Sequence, residues 1–164
     1  MVLKMKQSYL QNRYDVIENV QGYQFTTITG VDYFLTFFSY PTVSDFLSTN
    51  VYMFNIDRST FLNGGQDDVK VRNTIIYVLD LFFQEHEDAL ITICDVMDGK
   101  QFARKRLFDF WFRKFNDNRL IKLESECKID DVPTFVSLLF SKGHYNQENL
   151  HKAFQELIEI NFYN

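Results

Sequence analysis

The spacing of apolar residues along this chain changes from a period of two to a period of three to four, and then changes back. Four early runs rich in aromatic and β-branched residues predict strands, and they span residues 14–20, 23–28, 32–39 and 51–57. The first two runs flank Gln21-Gly22, a pair typical of a hairpin turn. The fourth run is apolar on both faces, which indicates a strand inside a covered sheet.

The middle of the chain is predicted to form two helices around a strand. After Asp67 and Asp68, whose carboxylates suit a helix N-terminus, apolar residues recur at helical steps: Val71, Ile75, Val78, Leu79 and Phe82. The apolar run from Ala89 to Val96 predicts a buried, central strand, which Asp98-Gly99 ends. A second helix is predicted from Lys100 to Phe115.

The last third of the chain is predicted to hold two strands and a helix. From Leu120 to Ile129 apolar and charged residues alternate, which predicts a half-exposed strand either near a sheet edge or on a solvated face. Residues 130–133 turn the chain, and residues 134–141 return as the partner strand. A final amphipathic helix carries its apolar residues on one face: Leu150, Ala153, Phe154, Leu157 and Ile158.

The predicted order of elements is β-β-β-β-α-β-α-β-β-α, and the predicted fold class is α+β. A meander followed by crossover connections gives a mixed, largely antiparallel sheet with helices packed on its faces. A chain of 164 residues fits one domain over residues 1–164, in which residues 1–12 could form a flexible N-terminal segment.

Composition narrows the class of protein. The 18 Phe and 9 Tyr predict a core built largely from rings, with an exposed aromatic patch for a partner as the alternative. A net charge of −5 argues against sequence-independent binding of nucleic acid. Cys94 and Cys127 make no disulfide framework, so we expect both to be reduced and buried. Without a recognisable secretory signal or membrane span, we expect a cytoplasmic protein.

The densest group of basic residues lies on the predicted second helix. At 100° per residue, one arc faces the core and holds Ala103, Leu107, Phe108, Trp111 and Phe115. Arg106 and Arg113 share the opposite face with Asp109 between them, so an ion-pair ladder is expected. This face is either a solvated surface or a binding site for an anion, a nucleic acid or a partner protein. Its candidate binding residues are Phe102, Arg104, Arg106 and Arg113.

Asp95 and Asp98 are two further candidate binding residues, because they flank the end of the predicted central strand. In open sheets with crossovers, ligands bind at the carboxyl ends of strands. Asp98 before Gly99 also suits a helix N-cap, which is the preferred interpretation. Nearby sequence offers no third ligand at recognisable spacing, so no metal site is predicted.

Motifs for catalysis are weak throughout the chain. The three histidines, His86, His144 and His151, are scattered, and no HExxH, GxSxG or P-loop occurs. Asn63-Gly64-Gly65 could cradle a phosphate ahead of a helix, but the following Asp67 and Asp68 place negative charge there. We therefore predict no catalytic residue and no cofactor.

Four short stretches around the predicted second helix form a signature: Cys94-Asp95, Asp98-Gly99-Lys100-Gln101, Ala103-Arg104-Lys105-Arg106-Leu107-Phe108 and Trp111-Phe112. This signature resembles that of a family of small bacterial proteins known as a domain of unknown function, family number 6169. The likeness extends over most of the chain. It implies a lineage and no activity.

The predicted order of elements is also similar to the core of the acetyl-CoA-dependent N-acyltransferase fold. In that fold a Gly-rich loop after the fourth strand binds pyrophosphate, and the helix after the fifth strand often carries a tyrosine acid. Here the loop lacks the usual pattern, and Lys100 to Phe115 contains no tyrosine, with Trp111 standing roughly in its place. The likeness therefore implies a fold whose cofactor binding has been lost.

The leading hypothesis is a non-catalytic bacterial interaction or regulatory domain that binds an unidentified protein through the basic-aromatic helix. A homodimer is permitted by the aromatic content, whereas nucleic-acid and membrane partners are not favoured. The alternative is an acetyl-CoA-dependent N-acyltransferase-like enzyme or a degenerate relative of one.

Overall fold

The computed structural model describes residues 11–40, 50–59, 69–85, 87–94, 99–116 and 118–162. The described strands are β1 (Ile17–Asn19), β2 (Gly22–Thr26), β3 (Asp32–Ser39), β4 (Val51–Arg58), β5 (Ala89–Cys94), β6 (Leu120–Ile129) and β7 (Val132–Ser141). The described helices are α1 (Val69–Glu85), α2 (Gln101–Phe115) and α3 (Gln147–Phe162). The fold class is α+β, and the described elements follow the predicted order.

The strands form one seven-stranded mixed sheet in the order β1-β2-β3-β4-β5-β7-β6. β4 and β5 pair in parallel, whereas β1 with β2, β2 with β3, β5 with β7 and β6 with β7 pair antiparallel. The sheet is therefore mixed and largely antiparallel, as predicted. β5 lies inside the sheet and β6 lies at its edge, which confirms both predicted positions.

The chain divides into two compact units, one made of residues 1–38 and 54–86 and the other of residues 39–53 and 87–164. We call them the first and the second unit. The single domain over residues 1–164 stays a prediction. Of the proposed flexible segment at residues 1–12, residues 1–10 lie outside the described part of the chain.

The β1–β2 hairpin of the first unit turns at Val20-Gln21, because Asn19 and Gly22 are opposite each other in the register. The prediction of Gln21-Gly22 was wrong by one residue. The physical reason is the Asn19 side chain, whose Oδ1 accepts hydrogen bonds from the amides of Gln21 at 3.0 Å and Gly22 at 3.1 Å. Such an Asx turn begins at the asparagine and so fixes where the hairpin closes.

Stacked rings fill the core of the first unit. Phe25 stacks on Tyr14 at 5.6 Å and on Tyr33 at 5.0 Å between ring centroids, and Phe37 of β3 stacks on Phe82 of α1 at 5.0 Å. α1 also buries the apolar residues that predicted it: Val71, Ile75, Val78, Leu79 and Phe82. The ring-rich core is therefore confirmed in this unit.

One face of the second unit's sheet packs against α3. Its buried cluster holds Val51, Ala89, Ile91, Cys127, Val136, Leu138, Phe140, Leu150, Phe154, Leu157 and Ile158. A cavity of about 20 Å³ lies in this cluster, lined only by apolar residues and Tyr40. That volume holds at most one water molecule, and an apolar lining gives such a water no partners.

Helix α2 packs against the opposite face of the second unit's sheet. Because side chains alternate along a strand, this face carries the positions between those of the α3 cluster. Thr92 of β5, Ser137 of β7 and Glu124 of β6 form one row across three strands in the register. Phe135 also lies on this face, and its ring meets that of Phe102 on α2 edge-on at 5.5 Å.

The β6–β7 hairpin closes with a two-residue turn at Asp130 and Asp131, whose φ angles are 50° and 63°. Ile129 and Val132 are opposite each other, and the register continues unbroken to Leu120 and Ser141. The turn lies within the predicted residues 130–133. Two successive residues at positive φ are the mark of a type I′ turn, which matches the twist of the strands it joins.

In the described part of the chain, the helices are too short or too polar to cross a membrane.

Candidate functional site

Helix α2 begins later than its predicted cap. Lys100 occupies the N-cap position and makes no side-chain capping hydrogen bond, so the predicted N-cap at Asp98 was wrong. At the other end, the Asn116 side chain accepts from the amides of Arg119 at 3.2 Å and Leu120 at 2.6 Å and donates to the Leu120 carbonyl at 3.1 Å. This one amide ties the end of α2 to the start of β6.

The buried side of α2 lies partly where the sequence predicted it. Phe108 and Trp111 are buried, as expected, but Ala103 is exposed and Gln101 is buried. Arg104 is half-buried. The projection assigned the arc to apolar residues alone, yet the long stem of an arginine can cover apolar surface as well as an alanine can.

Four charged side chains join α2 to β6, and we call them the ion-pair ring: Lys105, Asp109, Lys122 and Glu124. The Nζ of Lys105 lies 2.6 Å from Asp109 and 3.1 Å from Glu124. The Nζ of Lys122 lies 2.5 Å from Asp109 and 2.6 Å from Glu124. Each lysine thus bridges both carboxylates, so charges of opposite sign alternate around the ring and its net charge is zero.

The ring overturns the predicted ion-pair ladder of Asp109 with Arg106 and Arg113. The Asp109 carboxylate binds Lys105 and Lys122 instead, and Arg113 donates from Nε to the main-chain carbonyl of Asp109 at 3.4 Å. The physical reason is β6, which brings Lys122 to the helix from 13 positions further along the chain. A projection of α2 alone contains no sign of that residue.

The pKa values of the ring carboxyls follow from two opposing effects. Burial is the largest single influence on Asp109 and raises its pKa, but hydrogen bonds from Lys105 and Lys122 together outweigh it, so the pKa is lowered. The same balance, with Lys122 before Lys105, lowers the pKa of Glu124. The pKa of Lys105 is raised, chiefly by its hydrogen bond to Asp109. Asp109, Glu124 and Lys105 are therefore charged near neutral pH.

Two aromatic rings lie beneath the lysines. The Nζ of Lys105 is 5.2 Å from the centroid of Phe135, and that of Lys122 is 5.7 Å from the centroid of Phe112. Both distances are within the range of a cation–π contact. These contacts fix the lysine stems and leave the solvent side of α2 to other residues.

Three predicted site residues lie together on that solvent side, and we call them the α2 stripe: Phe102, Arg106 and Arg113. At 100° per residue they fall within about 40° of one another. All three are exposed, and the Phe102 side chain keeps 47% of its accessible surface although its edge touches Phe135. Arg113 also stands in the last turn of α2, where positive charge is favoured.

Arg104 does not belong to the stripe, since it points about 160° away from Arg106. Its positive charge acts on Cys94 at the end of β5. Burial raises the pKa of the Cys94 thiol to about 11, and the positive charge of Arg104 offsets only part of that rise. Cys94 and Cys127 are both free and buried, as predicted, and Cys94 is an inert core thiol at neutral pH.

The remaining candidates fall outside the described residues: Asp95 and Asp98, together with His86, Asp67, Asp68 and the 63–65 loop. Within the described ranges, no group of three or more His, Cys, Asp or Glu side chains could hold a metal ion. Sequence reasoning did not identify Lys105, Lys122 or Glu124 as site residues, although Lys105 stands four positions from Asp109 on one helix. The alternation of charge along β6 was the available signal, and it was interpreted only as a half-exposed strand.

Comparison with known proteins places the chain in a lineage. No curated protein matches it, and no solved structure matches it. The likeness to the N-acyltransferase fold therefore stays a prediction. A family model matches residues 67–156, which span α1, β5, α2, β6, β7 and most of α3. Since this is more than half of its length, the chain belongs to the Family of unknown function (DUF6169).

Proposed function

We propose that this protein is a non-catalytic interaction domain that binds an acidic surface of a partner protein through the α2 stripe. The observation that carries the proposal is the half-exposed ring of Phe102 on the same side of one helix as two exposed arginines. Arginine and aromatic residues dominate the energetic centres of protein interfaces. Burying a ring exposed to this degree against a partner stabilises the complex.

The ion-pair ring prepares the stripe for binding. It attaches α2 to β6 through two contacts, Lys105 with Glu124 and Lys122 with Asp109, so the backbone that carries Phe102, Arg106 and Arg113 is held in place before a partner arrives. A surface that is already ordered loses less conformational entropy on association. Two guanidinium groups on one side of the helix favour carboxylates as the complementary groups.

An acidic protein suits this surface better than a nucleic acid does. The chain carries a net charge of −5, so its overall field repels a polyanion and leaves only a local attraction. A carboxylate-bearing protein segment needs only the local charge of the stripe. Arg104 stays a predicted contact residue, although its half-buried position places it apart from the other three.

The test is a co-purification from the native cell followed by titration of the purified partner. The variant Phe102→Ala/Arg106→Ala/Arg113→Ala should raise the Kd at least about tenfold, since a lost interface anchor costs more than about 1.4 kcal/mol. The matched control removes two exposed charges of the same sign elsewhere in the second unit, with Lys142→Ala/Lys152→Ala. Undiminished binding by the stripe variant, with an unchanged melting temperature, would refute the proposal.

A second candidate function is an N-acyltransferase-like activity, favoured by one observation. The described elements follow the β-β-β-β-α-β-α-β-β-α order on which that likeness rests, including a parallel β4–β5 pair joined through α1. Against it, α2 carries no tyrosine, and Trp111 is buried. Thermal unfolding with acetyl-CoA tests this activity, because a ligand at 100 times its Kd adds about 2.7 kcal/mol of stability. An unchanged melting temperature removes this candidate.

A further inference from the structure

One side of the first unit's sheet points away from α1. Leu35 is fully buried and Phe37 stacks on Phe82 of α1, so these two residues of β3 point toward the helix. Because side chains alternate along a strand, their neighbours in β3 point to the opposite side of the sheet. We call that side the outer face. Its apolar and charged residues, from β1, β3 and β4, are Ile17, Asp32, Phe34, Phe38 and Asp57.

Two exposed aromatic rings lie on the outer face. Phe34 and Phe38 keep 38% and 41% of their accessible surface, and Ile17 keeps 63%. Ile17 belongs to the same row as Phe34, because Gln24 pairs with Ile17 on one side and with Phe34 on the other. The two rings are four positions apart on one strand, or about 13 Å. Apolar groups exposed together on one sheet face are typical of a surface that another protein covers.

The outer face also carries two carboxylates. Phe54 of β4 meets Phe37 on the α1 side, so Asp57, three positions further along β4, points to the outer face. Asp57 is exposed, and the half-buried Asp32 shares the same face. Across β1 to β4, no described position of this face holds a lysine or an arginine. The outer face is therefore both apolar and negatively charged.

The register of β3 with β4 places Asp57 directly beside one of the rings. Two main-chain hydrogen bonds set this antiparallel register, from the amide of Ser59 to the carbonyl of Asp32 at 2.9 Å and from the amide of Tyr40 to the carbonyl of Val51 at 2.7 Å. Asp57 is therefore opposite Phe34. The second carboxylate, that of Asp32, lies two positions from Phe34 along β3, or about 7 Å.

We propose that the outer face of one copy of this chain binds the α2 stripe of a second copy. This inference rests on the proposed function, in which the stripe binds an acidic protein surface, and it names that surface. The stripe offers an exposed ring and two guanidinium groups, whereas the outer face offers two exposed rings and two carboxylates. The charges of the two surfaces are complementary, and complementary charge fixes how two surfaces are oriented on each other.

The spacing of residues on the two surfaces also agrees. When α2 of the second copy lies along β3, Phe102 fits midway between the two exposed rings of the outer face. From that point Asp57 and Asp32 lie about 7 Å and about 13 Å further along the strand. On the helix, the two arginines follow Phe102 by about 6 Å and about 16 Å. The differences are about 1 Å and about 3 Å, which a long arginine side chain spans. The resulting ion pairs are Arg106 with Asp57 and Arg113 with Asp32.

The proposed contact is heterologous, because it joins two different surfaces of the chain. Each copy that binds through its stripe still offers its outer face, so copies add head to tail until a ring closes or an open chain forms. In light scattering, the wild-type mass should therefore exceed the 19.6 kDa of one copy and should rise with concentration. A wild type that stays monomeric up to its solubility limit contradicts the proposal.

Charge reversal tests the pairing of Arg106 with Asp57. Arg106→Asp and Asp57→Arg each set like charges opposite one another, so each single variant should be monomeric where the wild type associates. The double variant Arg106→Asp/Asp57→Arg restores opposite charges and should associate again. The matched control is Glu18→Arg, at an exposed position of β1 that points to the other side of the sheet, and it should associate like the wild type. Circular dichroism establishes that each variant is folded. Associating single variants, or a monomeric double variant, would overturn the pairing.

Mixing two monomeric variants tests the surfaces themselves. The stripe variant Phe102→Ala/Arg106→Ala/Arg113→Ala keeps its outer face, and Phe34→Ala/Asp57→Ala keeps its stripe. An equimolar mixture should form a heterodimer of twice the 19.6 kDa of one copy, because one intact stripe meets one intact outer face. A mixture that stays monomeric overturns the inference.

Binding of a co-purified partner separates this inference from the proposed function. A monomeric wild type whose stripe still binds such a partner overturns the self-association and leaves the proposed function in place. A stripe variant that binds the partner as tightly as the wild type does refutes the proposed function, and the self-association with it.

Discussion

The Nζ of Lys122 on strand β6 lies 2.5 Å from the Oδ1 of Asp109 on helix α2. The two residues are 13 positions apart, and their contact joins α2 to β6, while the 2.6 Å contact of Lys122 with Glu124 lies within β6. The Lys122 side chain is 12% exposed, the least of the four members of the ring. Replacement of Lys122 should therefore lower the stability of the fold more than replacement of any other member of the ring.

Replacing Lys122 by methionine should lower the free energy of unfolding by about 1–3 kcal/mol. The stem keeps its packing, but Asp109 and Glu124 are left to share Lys105, and the two carboxylates repel each other. The figure lies below the 3–5 kcal/mol of a fully buried broken pair, because both carboxylates are about one third exposed. Urea unfolding measures the change. Lys128→Met, an exposed position on the same strand, should change stability by less than about 0.5 kcal/mol.

The ring also predicts how stability depends on pH. The pKa values of Asp109 and Glu124 are lowered in the folded state, so their stabilisation is present above the unfolded values near pH 4 and is lost as pH falls through the folded values. The pKa of Lys105 is raised, so its contribution is present below about pH 10.5 and is lost as pH rises further.

The measurement is urea unfolding across this range for the wild type and for Asp109→Asn/Glu124→Gln. The difference in stability between them should be widest from about pH 5 to pH 10 and should narrow toward both ends. A difference that is constant from pH 3 to pH 7 would show that the ring carboxyls contribute nothing through their charge.

Local periodicity explains what the sequence could predict. The alternation along β6 predicted an edge position or a solvated face, and the apolar run of β5 predicted a position inside the sheet. Both predictions were possible because a strand's own sequence shows whether one of its faces or both are apolar. The burial of Cys94 followed from the same run. These predictions needed no knowledge of which elements meet.

Two contacts of the ion-pair ring, Lys105 with Glu124 and Lys122 with Asp109, could not be predicted because they depend on which elements meet. Lys122 reaches Asp109 only after β6 has paired with β7 and α2 has packed on the sheet. The spacing of residues along α2 therefore cannot predict this contact. The turn at Val20-Gln21 was missed for a smaller reason, since the Asn19 side chain moved the turn by one residue. The stripe residues were found, and their role as a binding surface stays a prediction.

His144 gives a prediction about the second unit's core. Its Nδ1 accepts from the amide of Asn146 at 3.0 Å, so the ring proton is on Nε2, which donates to the Glu87 carbonyl at 2.7 Å. His144→Phe keeps the ring but removes both partners at a buried position, which should cost about 2–4 kcal/mol. Thermal and urea unfolding measure the loss. The control is His151→Phe. The His151 ring lies 5.9 Å from that of Phe140, which also contacts His144, and this variant should lower the free energy of unfolding much less.

The Asp130-Asp131 turn should be improvable. Both residues have positive φ, at 50° and 63°, and both are exposed. A type I′ turn favours Asn followed by Gly, because asparagine tolerates the left-handed region and glycine has no Cβ to clash there. Asp130→Asn/Asp131→Gly should therefore raise the free energy of unfolding by about 0.5–1.5 kcal/mol and also remove a repulsion between neighbouring carboxylates.

Asp131→Ala separates backbone strain from charge in that turn. It removes the same carboxylate as Asp131→Gly but keeps a Cβ in the left-handed region, which costs about 1–2 kcal/mol. Asp131 itself already carries that cost, so Asp131→Ala should change the melting temperature little, whereas Asp131→Gly should raise it. Equal shifts would mean that charge alone governs the turn and that the positive φ angles carry no cost, which would contradict the type I′ assignment. The same two-residue turn places Ile129 opposite Val132 and so sets the register of β6 with β7.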